Sequence, residues 1–512
     1  MAKRSAGILI PLFSLRADRD LGRGDIGDLA PMLDLALAMG HRIVQLLPLD
    51  ETGPGEASPY SASSVMAVDP IYIAVDELPG VSRARIRDAK ASLGSSRFIA
   101  RERVRQVKLD LLTRAYQRFR RGSERSDFEA YEVQNSDWLP DYALFRALKD
   151  RFAWAAWESW PEGLRNRTPE AIASARVELA RPIEMYSYWQ YVAHRQLVAM
   201  RREYNRRGAM IGGDLAFSPG RDSAEVWAHQ DHFDLSRLVG APPDAFSPDG
   251  QRWGLPMPDW RRMRAAGWSI LRMRMRRARE LYDVVRIDHV VGLFRTFSFG
   301  ADPTEPGRFD PAAEPSQRDQ GDSIMRAIVE EAGGSSIIAE DLGVVPHWVN
   351  ASLTAIGIPG YKVIRWEKER GSDGEHFIEP SHYPELSLAT TGTHDTETFI
   401  EWWREIPAVE RQDLVRSLGL DGAVNAARTR LTIDGIDAII EKLYASPSIF
   451  VIEPIQDLFG WSARINRPGT VGPSNWNYRL PLTLERMHTS GAIARRVEKL
   501  RSIARLTGRF EH

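Results

Sequence analysis

The stretch "VVRIDHVVGLF", residues 284 to 294, decides how the chain is read. Its apolar residues build a strand, and side chains along a strand point alternately to opposite faces. Val285 and Ile287 therefore share one face, while Arg286 and Asp288 share the other. Two opposite charges are aimed at one place. Such a pair is either a structural ion pair at a strand end or part of a prepared reactive site, and the rest of the chain has to decide between them.

Seven further runs of this kind flank it: "GILIPLFSL" at 7 to 15, "RIVQLLPLD" at 42 to 50, "AMIGGDLAF" at 209 to 217, "SSIIAEDLG" at 335 to 343, "YKVIRWE" at 361 to 367, "SLATTGTHD" at 387 to 395 and "SIFVIEPIQD" at 448 to 457. Near-continuous apolar strands separated by helical stretches predict a parallel sheet covered by helices. Eight of them predict a closed (β/α)8 TIM barrel, one catalytic unit over residues 1–512 with large helical insertions on its C-terminal face. Between the second and third strands, residues 51–207 form a mainly helical insertion, charged and strongly helical around "RFIARERVRQVKLDLLTRAYQRF". A second excursion, 218–282, contains "GAPPDAFSPDGQRWGLPMPDW", which its proline, glycine and aspartate mark as a loop. Helical connectors agree with the barrel. Residues 25–40 place Leu29, Met32, Leu33, Ala36 and Leu37 on one face, with Gly40 where a C-cap glycine belongs. The basic segment 268–283 sets Leu271, Met275, Ala278 and Tyr282 on an apolar face, so its arginines are expected to solvate the outside of a barrel helix.

Composition narrows the chemistry. The 512 residues are 43% hydrophobic and 27% charged, with 68 basic against 69 acidic residues, so no global field favours nucleic acid or an anionic membrane. There is no cysteine, which removes disulfides, thiolate metal sites and a cysteine nucleophile together. The first residues lack the h-region of a signal peptide and no run is long enough to span a bilayer, so a cytoplasmic location without membrane partners is expected. Fifteen tryptophans and 14 tyrosines offer flat faces for sugars, although most of these rings are expected in the core.

The C-terminal ends of barrel strands build the active site of this fold. Asp214 lies near the end of the third predicted strand, and Asp288, Glu340 and Asp395 end the fourth, fifth and seventh. Four converging carboxylates, without a phosphate-binding glycine loop or a histidine metal cluster, point to glycosyl chemistry. There one group must be protonated and another ionised, because the leaving oxygen takes a proton while positive charge builds at the sugar carbon. Arg286 supplies the asymmetry: it keeps Asp288 ionised, whereas Glu340 among other carboxylates holds a proton.

"RIDHVVGL", "IIAEDLG" and "TGTHDTET", in this order, together with "SPYSASS" at 58–64, "GAPPDAFSPDGQRWG" at 240–254 and "NRPGTVGPSNWNYR" at 466–479, resemble the 4-α-glucanotransferases of the amylomaltase (disproportionating enzyme) family, within the α-amylase clan. The resemblance implies transfer of α-1,4-glucan segments between maltooligosaccharides, glycogen or starch-like α-glucans, or to glucose, by a retaining double displacement without metal or cofactor. It implies Asp288 as nucleophile, Glu340 as general acid/base and Asp395 as the carboxylate that grips the distorted sugar. Tyr60, Asp214, Arg286, His394 and Asn466 would line the same subsite, and Asp244, Gln251 and Trp253 would border the acceptor. A retaining pair predicts the carboxyl groups of Asp288 and Glu340 about 5 Å apart. The chain departs from the family at "GDLAFSP", 213–219, where the family carries GDLPI, and at "GLPMPDW", where an aromatic often follows WGxP and where Pro258 alters the acceptor loop; both bear on acceptor preference and on the balance of transfer and hydrolysis. An α-glucan hydrolase and a non-catalytic glucan-binding barrel stand as the alternatives.

Overall fold

In the computed structural model, which describes residues 4–510 apart from 95–97, 99, 124, 244–249, 301, 303–305, 373 and 471, eight short strands form one sheet. They are β1 (Ser5–Leu9), β2 (Ile43–Gln45), β3 (Met210–Leu215), β4 (Val284–Ile287), β5 (Ser336–Ala339), β6 (Gly360–Val363), β7 (Ser387–Thr390) and β8 (Phe450–Pro454). Their order is β5-β4-β3-β2-β1-β8-β7-β6, and every pairing is parallel. Between β5 and β6 the Ala339 N–H donates to the Pro359 carbonyl at 3.0 Å, so the sheet closes nearly completely. The expected (β/α)8 barrel is present. Its strands are apolar because both faces are sealed: Ile8, Ile43, Ile211, Val284, Val285, Ile338 and Val451 are buried. Gly213 in β3 lets the Tyr282 ring in, since a Cβ there would stand 2.2 Å from it.

Helix Leu29–Ala38 buries Leu29, Met32, Leu33 and Ala36 and is followed by Gly40 at φ +75°, the left-handed conformation a C-terminal glycine supplies. Helix Ser269–Leu281 buries Leu271, Met275 and Ala278 as the periodicity requires. Its arginines differ from expectation, however, because Arg274 and Arg277 are buried as well. Arg274 donates to the carbonyls of Ala216 and Phe217 just beyond β3, so a buried guanidinium satisfies main-chain oxygens the ladder leaves open.

The segment between β2 and β3 begins with an antiparallel hairpin, Asp50–Thr52 and Ala62–Val68, before the helices Arg83–Leu93, Arg101–Phe119, Ser126–Gln134, Leu139–Arg151 and Ala180–Arg206. Asp69 anchors the hairpin through Arg101 at 2.6 Å and Arg105 at 2.9 Å, and Glu51 through Arg146 at 2.8 Å. Rings such as Phe119, Phe128 and Tyr188 pack among these helices.

The expected loop in 218–282 is corrected. Phe233–Ala241 and Gln251–Pro258 are antiparallel strands in a four-stranded sheet with Thr296–Phe299 and Arg308–Asp310. Gly254, Pro256 and Pro258 lie within the second of these strands, residues 244–249 lie outside the described residues, and Gly240 permits the pairing because a Cβ there would collide with the Gln251 carbonyl. Pro258 closes its strand, and Asp259 caps the following helix by accepting the Arg262 N–H. Among the described residues no helix is long and apolar enough to cross a membrane.

Candidate active site

The barrel register sets Asp214 of β3 directly beside Arg286 of β4, and Arg286 beside Ile338 of β5. Arg286 Nη1 donates to both Asp214 oxygens at 2.8 Å and to Asp288 Oδ1 at 2.9 Å. Its Nη2 lies 3.9 Å from Glu340 Oε2. One guanidinium thus gathers the carboxylates at the ends of three adjacent strands. Burial works against its charge, but Asp214 and Asp288 outweigh burial and hold its pKa well above the ordinary arginine value.

Glu340 follows β5 directly and accepts the His289 N–H at 2.7 Å and the Leu342 N–H at 3.2 Å. Burial raises its pKa to about 7, Asp288 adding to the rise while Arg286 opposes it. Glu340 is thereby poised to carry a proton near neutral pH. Asp214 also accepts the Tyr60 hydroxyl at 2.7 Å, so the turn of the hairpin is tied to β3.

Asp395 is not at the end of β7, a second correction: the strand stops at Thr390 and Asp395 follows in the loop. The Thr391 N–H donates to the buried Glu453 side chain at 2.8 Å, and the Thr391 hydroxyl donates to it at 2.7 Å, which draws the chain away from the ladder. Asp395 is 44% exposed at its side chain, accepts Asn466 Nδ2 at 2.7 Å and lies 3.4 Å from His394 Nε2. His394 stacks on Tyr60 with ring centroids 5.2 Å apart and planes at 14°. This stack joins the Asp395 cluster to the Arg286 cluster.

A model of the family described as 4-alpha-glucanotransferase matches residues 10–483. The chain belongs to the 4-alpha-glucanotransferase family. Among curated relatives, the 4-alpha-glucanotransferase of Chlamydia pneumoniae is 31% identical over 94% of this chain and 92% of its own length. That of Thermus thermophilus is 32% identical over 86% and 88% respectively. The solved amylomaltase of Streptococcus agalactiae superposes with a TM-score of 0.85 at 25% identity, covering 99% of this chain and 100% of that one. Members of this 4-alpha-glucanotransferase family are enzymes, and the activity of this one is 4-α-glucan transfer.

The structure brings Tyr60, Asp214, Arg286, Asp288 and Glu340 together in one network and His394, Asp395 and Asn466 in the adjoining one. Gln251 and Trp253 stand on the strand Gln251–Pro258, where Trp253 meets His289 edge to face at 4.8 Å. Asp244 lies outside the described residues. At the departure in "GDLAFSP", Arg274 donates to the carbonyls of Ala216 and Phe217 and so holds the chain just beyond β3.

Sequence reasoning passed over four residues. His289 adopts φ +46°, its ring enclosed by Phe217 and Trp253, and burial pushes it down to about 4, so it is neutral. Tyr361 places its ring 5.9 Å from the Arg286 guanidinium. Trp476 leans on both Tyr60 and His394 at 5.8 Å. Trp366, beyond β6, is 47% exposed. His289 was legible as the neighbour of Asp288 and Trp476 as part of the stretch 466–479 quoted above; Tyr361 and Trp366 come from a distant segment that no local pattern connects to the site.

Proposed function

We propose that this family member transfers α-1,4-glucan segments through a covalent glycosyl-enzyme on Asp288. The observation that carries the reading is Arg286, buried and shared among Asp214, Asp288 and Glu340. A carboxylate pinned beside a guanidinium is available as the nucleophile, and a neighbouring carboxyl with its pKa raised to about 7 can give a proton to the leaving glucan oxygen. Asp288 then holds the β-linked glucosyl group. Glu340, now ionised, takes the proton of the incoming sugar hydroxyl, and a second displacement restores the α configuration.

Asp395, oriented by Asn466 and His394, faces the mouth from the β7 side and is placed to hold hydroxyls of the distorted sugar. Tyr60 stiffens this arrangement by bonding Asp214 and stacking on His394. Gln251 and Trp253 border the acceptor, with maltooligosaccharides, glycogen or starch-like glucans as substrates, glucose as the smallest acceptor and the cytoplasm as the compartment. The similar amylomaltase of Streptococcus agalactiae is a complex with acarbose, which supports an oligosaccharide ligand here.

The test is incubation with maltotriose alone, with separation of glucose and the oligosaccharide ladder over time. Chains longer than maltotriose that vanish in Asp288→Asn are expected. Glucose and maltose without longer chains would mean a hydrolase, and no turnover with retained maltodextrin binding would mean a binding protein.

A further inference from the structure

The barrel has one seam. Among the described residues β5 is laddered to β4 alone and β6 to β7 alone, so β5 and β6 meet without a strand register between them. They are joined by the Ala339 N–H, which donates to the Pro359 carbonyl at 3.0 Å, and by the Tyr361 N–H, which donates to Asp341 Oδ1 at 2.6 Å. The second bond replaces a main-chain acceptor with a side chain. In a parallel ladder the Tyr361 N–H would find a carbonyl of the neighbouring strand; here a carboxylate reaches back to take it, and a charged acceptor makes the shorter and stronger bond.

Gly360 makes room for that carboxylate. A Cβ on Gly360 would stand 2.2 Å from Asp341 Oδ2 and 2.7 Å from its Cγ. Gly360 is not among the glycines of positive φ, so it is space, not backbone conformation, that glycine supplies here.

The seam lies against the reactive cluster, because Asp341 is the residue after Glu340. The two carboxylates are turned to different neighbours. Glu340 accepts the His289 N–H beyond β4 and the Leu342 N–H, whereas Asp341 accepts from β6. Leu342 directly follows Asp341, so fixing Asp341 also fixes a bond that aims Glu340. On the far side of the seam Tyr361 brings its ring 5.9 Å from the Arg286 guanidinium, whose Nη2 lies 3.9 Å from Glu340 Oε2. One hydrogen bond thus gathers Glu340 and Tyr361 around the same cation. We infer that Asp341 is a positioning residue for proton transfer: by clasping the Tyr361 N–H across the seam it holds Glu340 in the orientation that protonates the leaving glucan oxygen. The inference rests on the general-acid reading of Glu340 given above and adds the device that aims it.

The experiment uses two donors. Maltotriose needs a proton on its leaving oxygen, while α-maltosyl fluoride releases fluoride without one, so kcat/KM for the pair separates misplacement of the acid from general damage to the barrel. The maltotriose-to-fluoride ratio is expected to fall at least about 10-fold in Asp341→Ala and in Gly360→Ala, which keeps the carboxylate but displaces it. Asp341→Asn retains a carbonyl oxygen for the Tyr361 N–H and is expected to recover most of the ratio. Equal losses with both donors, or no recovery in Asp341→Asn, would overturn the clasp. Should Asp341→Ala yield no folded protein, Gly360→Ala decides by the same ratio. Glu340→Gln is the reference: if it too loses both donors equally, the general-acid reading itself fails, whereas a selective loss there without one in the clasp variants refutes the clasp alone.

Discussion

Glu340→Gln is expected to stabilise the protein at neutral and alkaline pH while removing its transfer activity. Burial raises the Glu340 pKa from 4.5 to about 7, and at about 1.4 kcal/mol per pH unit that interval corresponds to ~3 kcal/mol. The sign follows from the order of titration. Below 4.5 the side chain is protonated in both states and costs nothing. As pH rises towards 7 the unfolded chain gives up its proton first, so folding stability falls through this window and the full penalty is present above it. Glutamine keeps a carbonyl oxygen for the His289 N–H and carries no charge to bury; its amide nitrogen loses the Leu342 N–H, a cost that does not change with pH. Urea unfolding of both proteins at about pH 5 and about pH 8 measures the effect: the advantage of the variant should grow by up to ~3 kcal/mol between them. A stability difference that does not change with pH, or a wild type that gains on the variant as pH rises, would refute a proton-holding Glu340.

Arg286→Ala leaves the buried Asp214 and the half-buried Asp288 without their shared cation, and a loss of ~3–5 kcal/mol in urea unfolding is expected, together with transfer lowered by more than about 100-fold. Tyr60→Phe removes the hydroxyl that Asp214 accepts at 2.7 Å, so stability should drop by ~1–3 kcal/mol with the ring stack on His394 intact. Asn466→Ala frees Asp395 from its 2.7 Å hydrogen bond; kcat on maltotriose is expected to fall about 10-fold with little change in thermal unfolding.

Much of the barrel was legible because its strands are sealed on both faces, and such strands write themselves as unbroken apolar runs ending in polar residues. Arg286 and Asp288 were readable as partners from the two-residue period alone, and the structure joins them at 2.9 Å. The position of Asp395 was not readable. Its strand ends early because Glu453, remote in sequence, takes the Thr391 N–H. The antiparallel sheet around Gln251–Pro258 was hidden for another reason: proline and glycine also occupy hairpin turns, and whether they end a strand or bend it depends on a partner strand such as Thr296–Phe299. Arg274 and Arg277 show the limit of the amphipathic pattern, since a buried arginine that bonds backbone carbonyls, as Arg274 does, or neighbouring side chains, as Arg277 does with His194 and Glu280, looks, in sequence, like a solvated one. The resemblance to the family supplied Tyr60, His394 and Asn466, which no periodicity selects.

Trapping the covalent intermediate tests the central claim most directly. Glu340→Gln, supplied with a maltosyl fluoride whose leaving group needs no acid, should accumulate a glycosylated enzyme, and peptide mapping by mass spectrometry should place the sugar on Asp288. A sugar on another residue, or steady fluoride release with inversion and no adduct, would contradict a double displacement through Asp288.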